Sequence, residues 1–146
     1  MCWMNRLFRG KIEHLQRRLV LLHTYRLDWP GKVKNGANIS VCSMADLFGD
    51  WVPDEWIQTV FRACEKYPQH NYMFLTKNPK RYEDLLKKDI LPVVDNFWYG
   101  TTTPTPDIEF FWHEQLNIFI SIEPILEPWP DVALAKIVKK VGWVIV

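Results

Sequence analysis

The chain has 146 residues, with 48% hydrophobic, 14% aromatic and 24% charged side chains and a formal net charge of +1. That composition gives one folded domain with a sizeable core and excludes intrinsic disorder, which needs low hydrophobicity and high net charge. No stretch approaches the roughly 18 apolar residues of a membrane span. Cys2, Cys42 and Cys64 are odd in number and far apart, which makes no disulfide framework, so the expected setting is reducing and cytoplasmic.

Charge is unevenly spread. Residues 1–34 hold eight Lys and Arg against Glu13 and Asp28, a net of +6 that leaves the remainder at about −5. Within this basic head, Ile12, Leu15, Leu19 and Leu22 share one face of a predicted helix, with Arg17 and Arg18 on the opposite face. Such a head could meet a nucleic acid, but a solvated helix face explains it better. A nucleic-acid partner is therefore not favoured, a protein partner stays open, and no membrane is expected.

From Asn38 the apolar period switches back and forth. Asn38 to Met44 reads as a short strand. Pro53, Asp54 and Glu55 suit a helix start, the carboxylates facing the positive end of its dipole. Trp56, Ile57, Val60, Phe61 and Cys64 form the inward stripe of that helix, and Pro68 lies beyond its end. Tyr72 to Thr76 reads as a strand, and Asn78-Pro79 as the start of a helix reaching about Lys88. Phe97 to Thr102 is aromatic and β-branched, hence a strand. A short helix is predicted over Asp107 to Glu114, with Ile108, Phe111 and Trp112 inward. Ile118 to Ile122 is the next strand, Asp131 to Lys140 a helix, and Trp143 to Val146 a last strand. The eight tryptophans are expected in core or lid packing.

Strands that alternate with helices pair in parallel, because each return to the same end of a sheet needs a crossover. The fold class is therefore α/β: a single domain over residues 1–146 with a parallel five-stranded sheet and alternating helices. Doubly wound sheet and (β/α) barrel are not separated by periodicity. In both, ligands bind at the carboxyl ends of the strands. That rule selects Ser43 and Asp46 after the first strand, Thr76 and Lys77 after the second, Thr101 in the third, and Ser121 and Glu123 at the fourth. Alternation sets Ser121 and Glu123 opposite Ile120 and Ile122, and Lys77 is the nearest basic partner for Glu123 on this map.

Familiar motifs are missing. The sequence has no G-x-G-x-x-G, no P-loop and no G-x-S-x-G elbow. His14, His23, His70 and His113 are scattered, without H-E-x-x-H or C-x-x-C spacing, and read as surface or helix-end residues rather than zinc ligands.

Several ordered segments carry a resemblance. Val41 to Gly49, Trp51 to Glu55, Pro68-Gln69-His70, Phe74 to Pro79, Asn96 to Gly100 and Ser121 to Pro124 together resemble an uncharacterised phage-protein family that looks like the radical-SAM superfamily. The likeness runs from about Leu22 to Val146. It implies a full or partial (β/α) TIM barrel, and for the full-length family S-adenosylmethionine and a 4Fe-4S cluster held by an N-terminal three-cysteine motif. It also implies that Ser43 and Asp46 stand where such enzymes hold the methionine amino group, with Thr76, Lys77, Thr101, Ser121 and Glu123 lining the cavity. Residues 1–21 contain Cys2 alone, so no cofactor is expected in this chain, and a cluster needs grouped thiolates. Val146 also ends on a strand, and a full barrel takes about 250 residues, so the expectation is a fragment of the family fold. The alternative is a non-catalytic phage remnant or binding domain whose basic head contacts nucleic acid or a protein partner.

Overall fold

The computed structural model describes residues 21–146. The helix expected over 11–22, with Arg17 and Arg18, lies outside the described residues apart from its last two positions. The described chain begins with two short 3-10 turns, Thr24–Arg26 and Trp29–Lys32. It then alternates: β1 (Asn38–Val41), α1 (Asp54–Glu65), β2 (Asn71–Thr76), α2 (Pro79–Lys87), β3 (Phe97–Thr102), β4 (Asn117–Ser121), α3 (Asp131–Val138) and β5 (Trp143–Ile145). The five strands form one sheet in the order β1-β2-β3-β4-β5, every neighbouring pair parallel. This is the expected α/β class, with sequential order and no reversal.

Alternation along the strands splits the sheet into two different faces. One carries Tyr72 and Phe74 of β2, Phe97 and Tyr99 of β3, and Ile118 and Ile120 of β4, all at 2% exposure or less. These pack with Ile57, Val60, Phe61 and Cys64 of α1, Tyr82 and Leu85 of α2, and Ile137 of α3 in one core. The rings of Phe48, Phe61, Phe74, Phe97, Tyr82 and Tyr99 pack edge-on, tilted or stacked against one another, with centroids 4.5–6.4 Å apart. The buried Tyr82 hydroxyl donates to the carbonyls of Phe74 (2.8 Å) and Gly100 (3.3 Å), so α2 is fastened to two strands at once. The described helices thus lie on one face of a singly wound sheet.

The other face carries Met73, Trp98, Phe119 and Trp143, none of which belongs to that core. A hollow of about 200 Å3 on this side is lined by Asn38, Asn71, Met73, Trp98 and Trp143. Of the described tryptophans, Trp56 and Trp129 are half-buried against the core, in line with the expected core or lid packing, while Trp29, Trp51, Trp112 and Trp143 are exposed. Phenylalanine, tyrosine, leucine and β-branched side chains fill the centre of the core.

Two further expectations change. No helix forms over 107–114. Pro104 and Pro106 precede the segment, its aromatic and β-branched residues favour helix weakly, and an eight-residue helix is marginal without strong packing. The Phe111 N–H donates instead to Thr101 Oγ1 (3.3 Å). Phe111 still reaches the core, at 3% exposure, whereas Ile108 (39%) and Trp112 (47%) face outward. The first strand stops at Val41 rather than Met44, because Cys42 adopts a left-handed backbone (φ 54°) and starts a turn closed by Ala45 N–H to Cys42 O at 2.8 Å.

Candidate functional site

Parallel strands that all point one way bring their carboxyl ends to a single rim, and each expected site residue lies in or just after a strand on that rim. After β1, the turn from Cys42 leaves Ser43 and Met44 exposed and leads to Asp46. Aspartate favours turns because its carboxylate captures the backbone N–H two residues on. Here Asp46 Oδ1 accepts from Phe48 N–H at 2.9 Å. The same carboxylate crosses to β2, accepting from Thr76 Oγ1 at 2.8 and 2.9 Å and from Lys77 N–H at 3.0 Å on Oδ2.

The web continues into α2. Thr76 Oγ1 accepts from Asn78 N–H (2.9 Å), and Asn78 Nδ2 donates to Phe48 O (3.1 Å) and Asp50 Oδ1 (2.7 Å). Asn78 therefore starts α2 without capping it through its side chain. Arg81 Nη2 donates to Val52 O (2.8 Å) and to Asp54 Oδ1 (2.6 Å), while Lys88 meets Asp54 Oδ2 at 2.8 Å. Both cations hold the Asp54 carboxyl below the usual carboxylate range, the Lys88 hydrogen bond foremost.

The expected residues fall into two sets. Asp46, Thr76 and the Lys77 backbone are brought into direct contact, and Thr101 is buried on the helix side against Phe111 N–H. The side chains of Ser43, Lys77, Ser121 and Glu123 make no hydrogen bond or ion pair with the described residues. Ser121 is 4% exposed and pairs with Thr102 in the sheet, one residue past the Thr101–Ile120 pair, so its side chain and that of Thr101 leave opposite faces. Glu123 is exposed and follows Ile122 into a cis peptide with Pro124. It does not pair with Lys77; the ion pairs among the described residues both involve Asp54.

Two buried polar residues lie outside the expected site set. His70, read as a surface or helix-end residue, is fully buried at the opposite, amino edge of the sheet. Its Nδ1 accepts from Ala37 N–H (3.2 Å), which leaves Nε2 to donate to Pro30 O (3.1 Å) and so ties the chain before β1 to β2. Nothing in its spacing signals this, because the partners are backbone groups of another segment. Thr103, also fully buried, holds its N–H on Ser121 O at 2.9 Å while its hydroxyl has no partner.

The thiols are electrostatically quiet. Burial pushes the Cys64 thiol up to about 12; Cys42 is exposed as a residue, but desolvation around its sulfur, followed by the Asp46 carboxylate, raises its thiol too. Among the described residues no group of three or more His, Cys, Asp or Glu could hold a metal ion. No described helix is long and apolar enough to cross a membrane.

The geometry defines a class: a singly wound parallel α/β domain with a polar rim at the carboxyl ends of its strands. The chain belongs to the family described as "Protein of unknown function (DUF5131)", which matches residues 3–146. No curated protein and no solved structure matches it.

Proposed function

We propose that the chain is a wedge of a (β/α) barrel from a phage-type protein resembling radical-SAM enzymes, and that its rim binds a small charged cofactor or substrate. What carries the reading is the sheet itself. Its strands are parallel, sequential and free of a switch point, and their carboxyl ends gather Ser43, Asp46, Thr76, Lys77, Thr101, Ser121 and Glu123. In barrels such ends hold the reacting groups. Ser43, Lys77, Ser121 and Glu123 offer two hydroxyls, an ammonium and a carboxylate to a ligand such as S-adenosylmethionine. Asp46, Thr76 and Thr101 spend their oxygens within the protein and hold the rim in shape.

A 4Fe-4S cluster does not fit the described residues. They supply Cys42, exposed at the end of β1, and Cys64, buried in α1, both with raised thiols. Cluster ligation needs grouped thiolates. No step is therefore routed through iron, and the proposal concerns the rim alone.

The test is equilibrium binding of S-adenosylmethionine to the chain and to its Glu123→Gln variant. Loss of a charge-assisted contact is expected to weaken binding about tenfold, with the melting temperature unchanged because Glu123 is exposed and has no partner among the described residues. Undetectable binding by the parent chain, or equal affinity in the variant, would overturn the assignment. Anaerobic reconstitution with iron and sulfide assays is expected to give substoichiometric metal, and one stable four-iron cluster per chain would count against it.

A further inference from the structure

We infer that Asp46 is the positioning residue for Lys77, and that Lys77 takes the anionic part of whatever the rim binds. The inference rests on the rim reading above and deepens it. Asp46 reaches from the turn after β1 and accepts the Lys77 N–H on Oδ2 at 3.0 Å. The same carboxylate holds Thr76 Oγ1 at 2.8 and 2.9 Å. Thr76 closes its own turn by accepting from Asn78 N–H at 2.9 Å. The backbone on both sides of the Lys77 Cα is thereby fixed just where β2 ends.

A pinned backbone fixes the Cα–Cβ direction of Lys77 at the point where β2 ends. Thr76 is the last paired residue of β2, level with Thr101, so Lys77 follows it at the carboxyl edge where β3 and β4 also end. The Lys77 side chain is exposed and makes no hydrogen bond or ion pair with the described residues. An ammonium held at the carboxyl edge suits a carboxylate or phosphate oxygen. The Asp46 carboxylate is occupied by its own donors, which keeps it from competing as a counter-ion. Its contribution to binding is the direction of Lys77.

Asp46→Ser separates the two jobs of the carboxylate. A serine hydroxyl can still accept from Phe48 N–H and keep the turn, but it is too short to reach β2. Amide hydrogen exchange by NMR is expected to show the Lys77 N–H losing about tenfold protection while Phe48 N–H changes little. Inorganic phosphate, used as the anionic probe, is expected to bind Asp46→Ser about fivefold more weakly than the parent, most of the loss seen in Lys77→Met, and the effect should shrink with added salt. Unchanged Lys77 protection in Asp46→Ser, or full phosphate affinity there with loss in Lys77→Met, would overturn the inference. A parent chain that binds no phosphate would overturn the anion role of Lys77 and count against the rim reading, while the exchange data would still judge the positioning.

Discussion

At the scale of single residues, the tightest constraints sit on the sheet. Gly100 faces Phe119 across the β3–β4 pair, and a Cβ there would lie 2.2–2.5 Å from the Phe119 ring. Phe119 is itself 2% exposed and packed beside Trp143, so it has little room to yield. Gly100→Ala is expected to destabilise by about 1–3 kcal/mol, the usual cost of overpacking, read as a shift in denaturant midpoint at constant slope. Cys64 makes a second prediction. Its thiol is raised to about 12, so the folded state keeps a proton that the unfolded chain releases near pH 8.5. The stability linked to it is complete below the unfolded value and is lost as pH rises toward the folded one. Alkylation follows the same logic: at pH 8 Cys42 should react before Cys64, and Cys64 only at the rate of unfolding. Equal rates for the two would contradict the burial.

At the scale of elements, the joints between helix and loop carry the organisation. Asp54, in the first turn of α1, binds Arg81 of α2 at 2.6 Å and Lys88 at 2.8 Å, which ties the two helices together. Its carboxyl is lowered, so this contribution is present above about pH 4 and lost as pH falls through the depressed folded value. Asp54→Asn is expected to cost about 0.5–1 kcal/mol at neutral pH, a cost that should shrink as pH falls, which urea melts at neutral and at successively lower pH would show. The β3–β4 connection makes its own case. Phe111 occupies the layer where a crossover helix would stand, touching the Tyr82 ring with centroids 5.1 Å apart. Phe111→Ala is expected to cost about 3–5 kcal/mol by thermal or urea melting, whereas Trp112→Ala, half exposed, should cost far less.

At the scale of the molecule, the sheet is a ladder of parallel pairs with β3 in the middle and β1 and β5 at the edges. Hydrogen exchange should therefore be slowest in β2, β3 and β4, whose strands pair on both sides, and fastest in the three-residue β5. Protection of β5 equal to that of β3 would mean that its free edge is covered in solution.

The sequence by itself determined the alternation of strands and helices, their order, and the rim on which the polar residues gather. Local periodicity and proline and asparagine signals encode each element, and parallel pairing then leaves the carboxyl ends on one side. It also marked Asp46 and Thr76 as rim residues. Only the tertiary structure decided that their oxygens face each other, because Asp46 lies 30 residues from Thr76 in sequence and no local pattern records a cross-strand hydrogen bond. The same limit explains the lost helix over 107–114: its apolar spacing is helical, but Thr101 Oγ1 on β3 claims the Phe111 N–H. It explains His70 as well, whose burial is set by backbone groups of residues 30 and 37. Periodicity reports which face a residue presents, and long-range hydrogen bonds decide what meets it there.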